Sequence, residues 1–110
     1  MKVHLIRKLS LEDFAEKHAQ SRIGLYDFLC RLKYADWNTP ADISATFPTA
    51  DLLGNGSHRV VFDIAGNRYR LICKYAFGNR QVHLFVCWLG THAAYTAVCR
   101  AAKQYSINIY

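Results

Sequence analysis

The chain has 110 residues, of which 52% are hydrophobic and 14% aromatic, and it carries 14 Lys and Arg against 8 Asp and Glu. This length predicts one domain spanning residues 1–110, and the apolar content argues against a disordered chain. The net charge of +6 favours a polyanion or an acidic protein as partner without choosing between them.

The sequence contains neither a membrane signal nor a metal-binding signal. No apolar run approaches the ~20 residues that a membrane span needs, and the start of the chain is too short and charged for a signal peptide. The four cysteines are scattered without metal-ligand spacing, at Cys30, Cys73, Cys87 and Cys99. We therefore expect a reduced cytoplasmic protein that needs no membrane, no metal and no cofactor.

The first half of the chain predicts a short strand followed by helices. Val3–Ile6 is the strand candidate, and Ser10 with Asp13 resembles a capping box at the start of the first helix. A second helix begins near Ser21 and ends near Asp36, with apolar residues at helical spacing (Leu25, Phe28, Leu29, Leu32). Thr39 and Pro40 then predict the cap and first residue of a short helix that stops before Pro48.

The second half predicts three strands and a final helix. The strands are expected at about Arg59–Ile64, Asn67–Phe77 and Val82–Leu89, and Ala65-Gly66 makes the first connection a hairpin. Helix is expected from His92 to about Lys103, and Tyr105–Tyr110 is either a frayed tail or a terminal strand. This order predicts an α+β fold in which helices cover one face of an antiparallel sheet and the other face is free to hold a site.

Cations recur at alternate positions of the middle strand. Alternation puts Arg68, Arg70 and Lys74 on one side of that strand, and Arg59 and His83 can join them from the neighbouring strands. One interpretation is the solvated polar face of an ordinary antiparallel sheet. The other is an anion site, because like charges on adjacent strands repel one another unless an anion lies between them.

A turn at the end of the third strand adds a histidine and a tyrosine. Gly90 ends the strand, Thr91 is a natural N-cap, and His92 begins a helix on which Tyr95 shares its face. Backbone N–H groups at a helix N-terminus attract anions. The alternative is that His92 only caps the helix and Tyr95 fills the core.

Several motifs in order resemble the HigB family, RelE-like toxins of type II toxin–antitoxin systems. The resemblance covers about residues 1–98 and is carried by Trp37-x-x-Pro40-x-Asp42-Ile43, Phe47-Pro48-x-Ala50-Asp51, the stretch from Arg59 to Ile72, and Gly90-Thr91-His92-Ala93-x-Tyr95. It implies a RelE-like fold, an endoribonuclease that cleaves mRNA on the translating ribosome, and a HigA-like helix-turn-helix antitoxin as partner.

The resemblance transfers site roles to five positions: Arg59, Arg70, Lys74, His92 and Tyr95. Two positions depart from the family pattern, since Cys87 stands where an arginine often precedes the turn and Thr96 where an aspartate often follows the tyrosine.

RNA supplies its own 2′-hydroxyl nucleophile, so the protein must only position the phosphate, move protons and neutralise charge. Arg70, Lys74, His92 and Tyr95 are the catalytic candidates, and Arg59, Arg68 and His83 are the RNA-binding candidates. The choice of general acid and base stays open. Two rival hypotheses are a catalytically weak module of the same fold that binds RNA or antitoxin, and a purely structural basic domain.

Overall fold

The computed structural model describes residues 1–110 and contains four α-helices and one five-stranded sheet. In chain order these are β1 (Lys2–Ile6), α1 (Lys8–Lys17), α2 (Arg22–Lys33), α3 (Pro40–Thr46), β2 (Asp51–Leu53), β3 (Arg59–Ile64), β4 (Tyr69–Phe77), β5 (Gln81–Thr91) and α4 (His92–Arg100). A single 3₁₀ turn, Ala19–Ser21, joins α1 to α2. The order of elements agrees with the predicted α+β class, with β2 as the strand that the sequence did not predict.

The sheet is mixed, so the expectation of a wholly antiparallel sheet was wrong. Its strand order is β1-β5-β4-β3-β2, and β1 runs parallel to β5 while the other neighbours are antiparallel. The β3–β4 and β4–β5 pairs follow from short connections, which force antiparallel pairing. The direction of β1 depends instead on docking beside a strand more than seventy residues away in the sequence.

Local signals located three helix starts correctly and one incorrectly; the start expected near Ser21 is Arg22, with Ser21 at the N-cap position. Thr39 and Asp42 form the capping box of α3, with Pro40 as its first residue, and Thr91 Oγ1 accepts a hydrogen bond from the Ala94 N–H at 3.1 Å to cap α4. The predicted cap at Ser10 is wrong, because α1 already begins at Lys8 after Arg7 in a left-handed conformation. The tight chain reversal after β1 thus takes priority over the capping signal.

The main core lies between the sheet and helices α1–α3. Alternate residues of β3, β4 and β5 join it, including Phe62, Leu71 and Leu84, and they pack against Leu25 and Phe28 of α2. Gly24 lets α2 approach the β3–β4 turn closely, since a Cβ there would lie 2.4 Å from the Ala65 backbone nitrogen. We call this side of the sheet the helical face and the opposite side the second face.

A β-bulge changes the alternation of β5. Ile72 of β4 pairs with Trp88 while Cys73 pairs with Val86, so Cys87 is the extra residue. Both Cys87 and Trp88 consequently lie on the second face, where they pack with Val61 and Ile72.

The second face is not free, which corrects the expectation of an open site. Helix α4 packs Tyr95 and Val98 against the small cluster of Val61, Ile72, Cys87 and Trp88, and Ile107 of the C-terminal tail, residues 101–110, packs there too. The Ile109 N–H donates to the Cys87 carbonyl at 2.9 Å. The tail is neither frayed nor a strand; it crosses the middle of the second face as irregular structure.

Candidate functional site

Arg70 lies at one end of the second face and is already hydrogen-bonded. Its Nε is 3.1 Å from Oδ1 of Asp63, the residue directly opposite it on β3, and only 11% of its side chain is exposed. Nη1 donates to the Tyr69 carbonyl at 3.1 Å and Nη2 donates to Asn67. The two hydrogen bonds use two of the five guanidinium N–H donors and the Nε contact with Asp63 is an ion pair, so an oriented cation with free Nη N–H groups stands at this end.

Tyr95 lies beside this group. Its ring centroid is 6.2 Å from that of Trp88, and the tyrosine is close enough to Asp51 and Arg70 to feel both charges. Burial, followed by the neighbouring Cys99 thiol, raises the pKa of the Tyr95 hydroxyl far above its ordinary value. Tyr95 therefore keeps its proton at neutral pH and can donate a hydrogen bond, while the raised pKa makes it a poorer proton donor than an ordinary tyrosine.

His92 is the first residue of α4, and its side chain is exposed, as the turn motif predicted. The backbone N–H groups around it are largely occupied: that of His92 donates to the Arg68 carbonyl at 2.9 Å, and that of Ala94 donates to the Thr91 hydroxyl. The helix start therefore has less free N–H capacity for an anion than the sequence implied, and the imidazole itself is the group presented to solvent.

Arg59 lies on the second face but is not exposed to a ligand. The residue is only 6% exposed, and its Nη1 donates to the carbonyls of Ile107 at 2.6 Å and Gln104 at 3.3 Å. Arg59 thus fastens the C-terminal tail to the sheet. Strand alternation and the family resemblance predicted that Arg59 faces RNA, and neither of them gives the position of the tail.

Lys74 and His83 lie at the opposite end of the second face. Lys74 is exposed and sits four residues beyond Arg70 on β4, which separates their Cα atoms by about 13 Å. Between them Ile72 is fully buried under the small cluster. Arg68 does not join either group: it precedes β4 and its guanidinium bonds to Gln20 of the 3₁₀ turn. The predicted row of cations is therefore two separate groups divided by an apolar centre.

Three further residues belong to the Arg70 end and were given no site role from the sequence: Asp63, Asp51 and Trp88. The position of Asp63 follows from the register of the β3–β4 hairpin, because the turn after Ile64 sets Asp63 opposite Arg70. Asp51 sits on the unpredicted three-residue strand β2, and Trp88 reaches this face only through the bulge. Asp51 ends one of the motifs that resemble the family, but that motif gave it no site role, and no pattern in the sequence marks Trp88.

Other candidate sites are weaker. A surface groove of about 730 Å³ lies between α2 and the turn at Ala65-Gly66; its lining mixes acidic and basic side chains and includes Asp63 and Asn67, the partners of Arg70, but neither Lys74 nor His92. No three His, Cys, Asp or Glu side chains come together in a group that could hold a metal ion. Burial raises the pKa of both Cys73 and Cys87, which makes these thiols protonated apolar residues. None of the helices has the length and apolar content of a membrane span.

A family match gives the class of this protein as a RelE-like toxin. The HigB_toxin family, described as the RelE-like toxic component of a toxin-antitoxin system, matches residues 22–98. The chain belongs to this family, and an antitoxin partner is implied by that membership.

Curated relatives support the assignment. The chain is 29% identical over 102 residues to the mRNA interferase HigB of Escherichia coli O6:H1, covering 93% of this chain and 97% of the relative. It is 26% identical over 82 residues to the mRNA interferase toxin HigB of Escherichia coli K12 and to the mRNA interferase HigB of Shigella flexneri, covering 74% of this chain and 79% of each relative. The family match ends at residue 98, so the C-terminal tail lies outside it.

Proposed function

We propose that this toxin is an endoribonuclease that cleaves mRNA on the translating ribosome without a metal ion. The observation that carries the proposal is the Arg70 end of the second face. There a guanidinium oriented by Asp63 and Asn67 stands beside the un-ionised hydroxyl of Tyr95, on the helix that His92 begins. Relatives named mRNA interferases support RNA as the substrate.

The chemistry needs no protein nucleophile. The 2′-hydroxyl of the RNA attacks the adjacent phosphate and forms a 2′,3′-cyclic phosphate, while the 5′ oxygen leaves and takes a proton. The Nη N–H groups of Arg70 that remain free can bind the phosphate oxygens, whose negative charge grows in the transition state. Tyr95 suits donation of a hydrogen bond to the reacting phosphate because its hydroxyl stays protonated. We assign His92 to take the proton of the 2′-hydroxyl and to give a proton to the leaving 5′ oxygen.

Lys74 and Arg59 take different parts from those of Arg70. Lys74 is exposed about 13 Å along β4, so we assign it to a neighbouring stretch of the RNA backbone. Arg59 supports the site indirectly by holding the tail across the sheet. The proposed antitoxin is a HigA-like helix-turn-helix protein that blocks either this face or ribosome docking.

The test is induced expression without a partner, followed by growth measurement and mapping of transcript 5′ ends. We expect growth arrest and new 5′ ends inside coding regions, and we expect Tyr95→Phe and His92→Ala to remove both effects. Intact transcripts at confirmed soluble expression would show that the chain is not a nuclease. Purified protein should cleave mRNA faster with ribosomes in magnesium buffer than without them, and equal rates would refute ribosome dependence. Because ribosomes need Mg²⁺ to stay assembled, metal independence is tested on free RNA, where the slower cleavage should survive EDTA.

A second candidate function is a binding module that cuts nothing. Cys87 favours it, because the position that carries an arginine in similar sequences is here an apolar thiol, 2% exposed, under the tail. Co-expression with the neighbouring gene separates the cases. A partner that co-purifies while transcripts stay intact in its absence supports the module, whereas restored growth on co-expression supports the toxin.

A further inference from the structure

The end of the second face around Lys74 carries aromatic rings that the core does not use. Phe85 and Ile6 are half-buried and lie directly opposite each other on β5 and β1, yet neither packs into the main core or the small cluster. His83 stacks on Phe85 with ring centroids 6.4 Å apart, and His4 meets His83 edge to face at 6.1 Å. The three rings form one contiguous patch, here called the platform, in which His4 is exposed, His83 and Phe85 are half-buried, and the His4 ring stands perpendicular to that of His83.

The surroundings of this platform are cationic. Lys74 lies directly opposite Phe85 on β4, and Lys2 precedes His4 on β1. Strands β1, β4 and β5 contain no Asp or Glu at all, in contrast to the Arg70 end, where Asp63 pairs with the arginine. An anionic ligand meets no carboxylate repulsion on these three strands.

Aromatic faces beside a cation, on an exposed sheet, match what single-stranded nucleic acid requires. Bases stack on planar side chains whatever their sequence, and lysine contacts the phosphate between them. An apolar protein partner would find little here, because Phe85 and Ile6 are the only large apolar side chains of the patch and both are already half-buried. The positions of the platform and the Arg70 end along β4 also fit an RNA strand, because the platform begins about 13 Å from the Arg70 end.

We propose that His83, Phe85 and His4 form a base-stacking subsite for the single-stranded RNA that flanks the cleaved bond, with Lys74 binding its phosphate. This inference rests on the proposed function, because it takes RNA as the ligand. The tail lies between the subsite and Arg70, so the RNA passes over it or beside it.

The experiment measures binding separately from cleavage. The probe is a short fluorescein-labelled single-stranded RNA with 2′-O-methyl groups, which lacks the attacking hydroxyl, and the readout is fluorescence anisotropy at several salt concentrations. Phe85→Leu keeps an apolar side chain and removes the stacking ring, so we expect affinity to fall about 5- to 150-fold, the range of base–aromatic stacking. His83→Ala should lower affinity in the same direction, and Lys74→Gln should also flatten the salt dependence.

Tyr26→Leu is the matched control, since Tyr26 is 70% exposed on α2, away from the sheet, and its loss should not alter RNA affinity. Thermal melting identifies any variant that fails to fold, and His83→Ala then serves in place of Phe85→Leu. If the folded variants bind the RNA probe as tightly as the parent protein does, the subsite is overturned. This holds even if those variants have lost self-association or binding to another protein. A parent protein that binds the probe through Phe85 but cuts no mRNA would refute the nuclease and keep the subsite.

Discussion

Arg59 offers the sharpest test of how the second face works. From the sequence it is an RNA ligand, whereas in the structure it fastens the tail through the carbonyls of Ile107 and Gln104. A hydrogen bond from a charged donor contributes about 1.5–3 kcal/mol, and the 2.6 Å bond should supply most of it. Arg59→Ala also removes part of the buried apolar stem of this side chain. We therefore expect the variant to lower the free energy of unfolding by about 2–4 kcal/mol.

That loss corresponds to a melting temperature about 8–16 °C lower, at about 4 °C per kcal/mol for a domain of this size. Hydrogen exchange should also accelerate at the Ile109 N–H, because its hydrogen bond to the backbone carbonyl of Cys87 depends on the position of the tail. The control is Arg68→Ala, because Arg68 is exposed and bonds only the Gln20 side chain, so its stability should change by less than about 0.5 kcal/mol. If Arg59→Ala keeps its stability and tail protection while RNA binding falls tenfold, the reasoning is refuted and Arg59 contacts RNA.

Three further predictions concern stability and activity. Lys74→Ala should weaken toxicity by removing one contact to the RNA backbone, and it should cost less than about 0.5 kcal/mol of stability. Arg70→Ala should abolish toxicity and also destabilise by about 1–2 kcal/mol, because Asp63 loses its partner; equal melting temperatures for the two variants would contradict the ion pair. The pKa of Tyr95 is raised in the folded state, so its contribution to stability is complete below about pH 10 and is lost as the pH rises further. Urea titrations above that pH should therefore show a smaller decline in the free energy of unfolding for Tyr95→Phe than for the parent protein. Gly24→Ala should destabilise the protein by more than about 2 kcal/mol, because the added methyl group clashes with Ala65. Gly54→Ala is the control, since a Cβ there meets nothing within 4 Å. Similar melting temperatures for the two variants would disprove the close approach of α2 to the turn.

Short-range signals predicted a good part of the molecule. The bounds of β3, the capped start of α3 at Pro40 and the start of α4 at His92 were all confirmed, because turn residues, caps and alternation act over a few neighbouring positions. The side of β4 that carries Arg70 and Lys74 was confirmed for the same reason. The family resemblance was confirmed by the match over residues 22–98.

Only the tertiary structure decided how these pieces form a site. The parallel docking of β1, the bulge at Cys87 and the path of the tail depend on contacts between residues far apart in sequence, which no local pattern encodes. The sequence alone determined that cations lie along one side of a strand. The folded chain decided that Arg59 is buried under the tail and that Arg70 pairs with Asp63, because each charge bonds the nearest partner that packing brings to it.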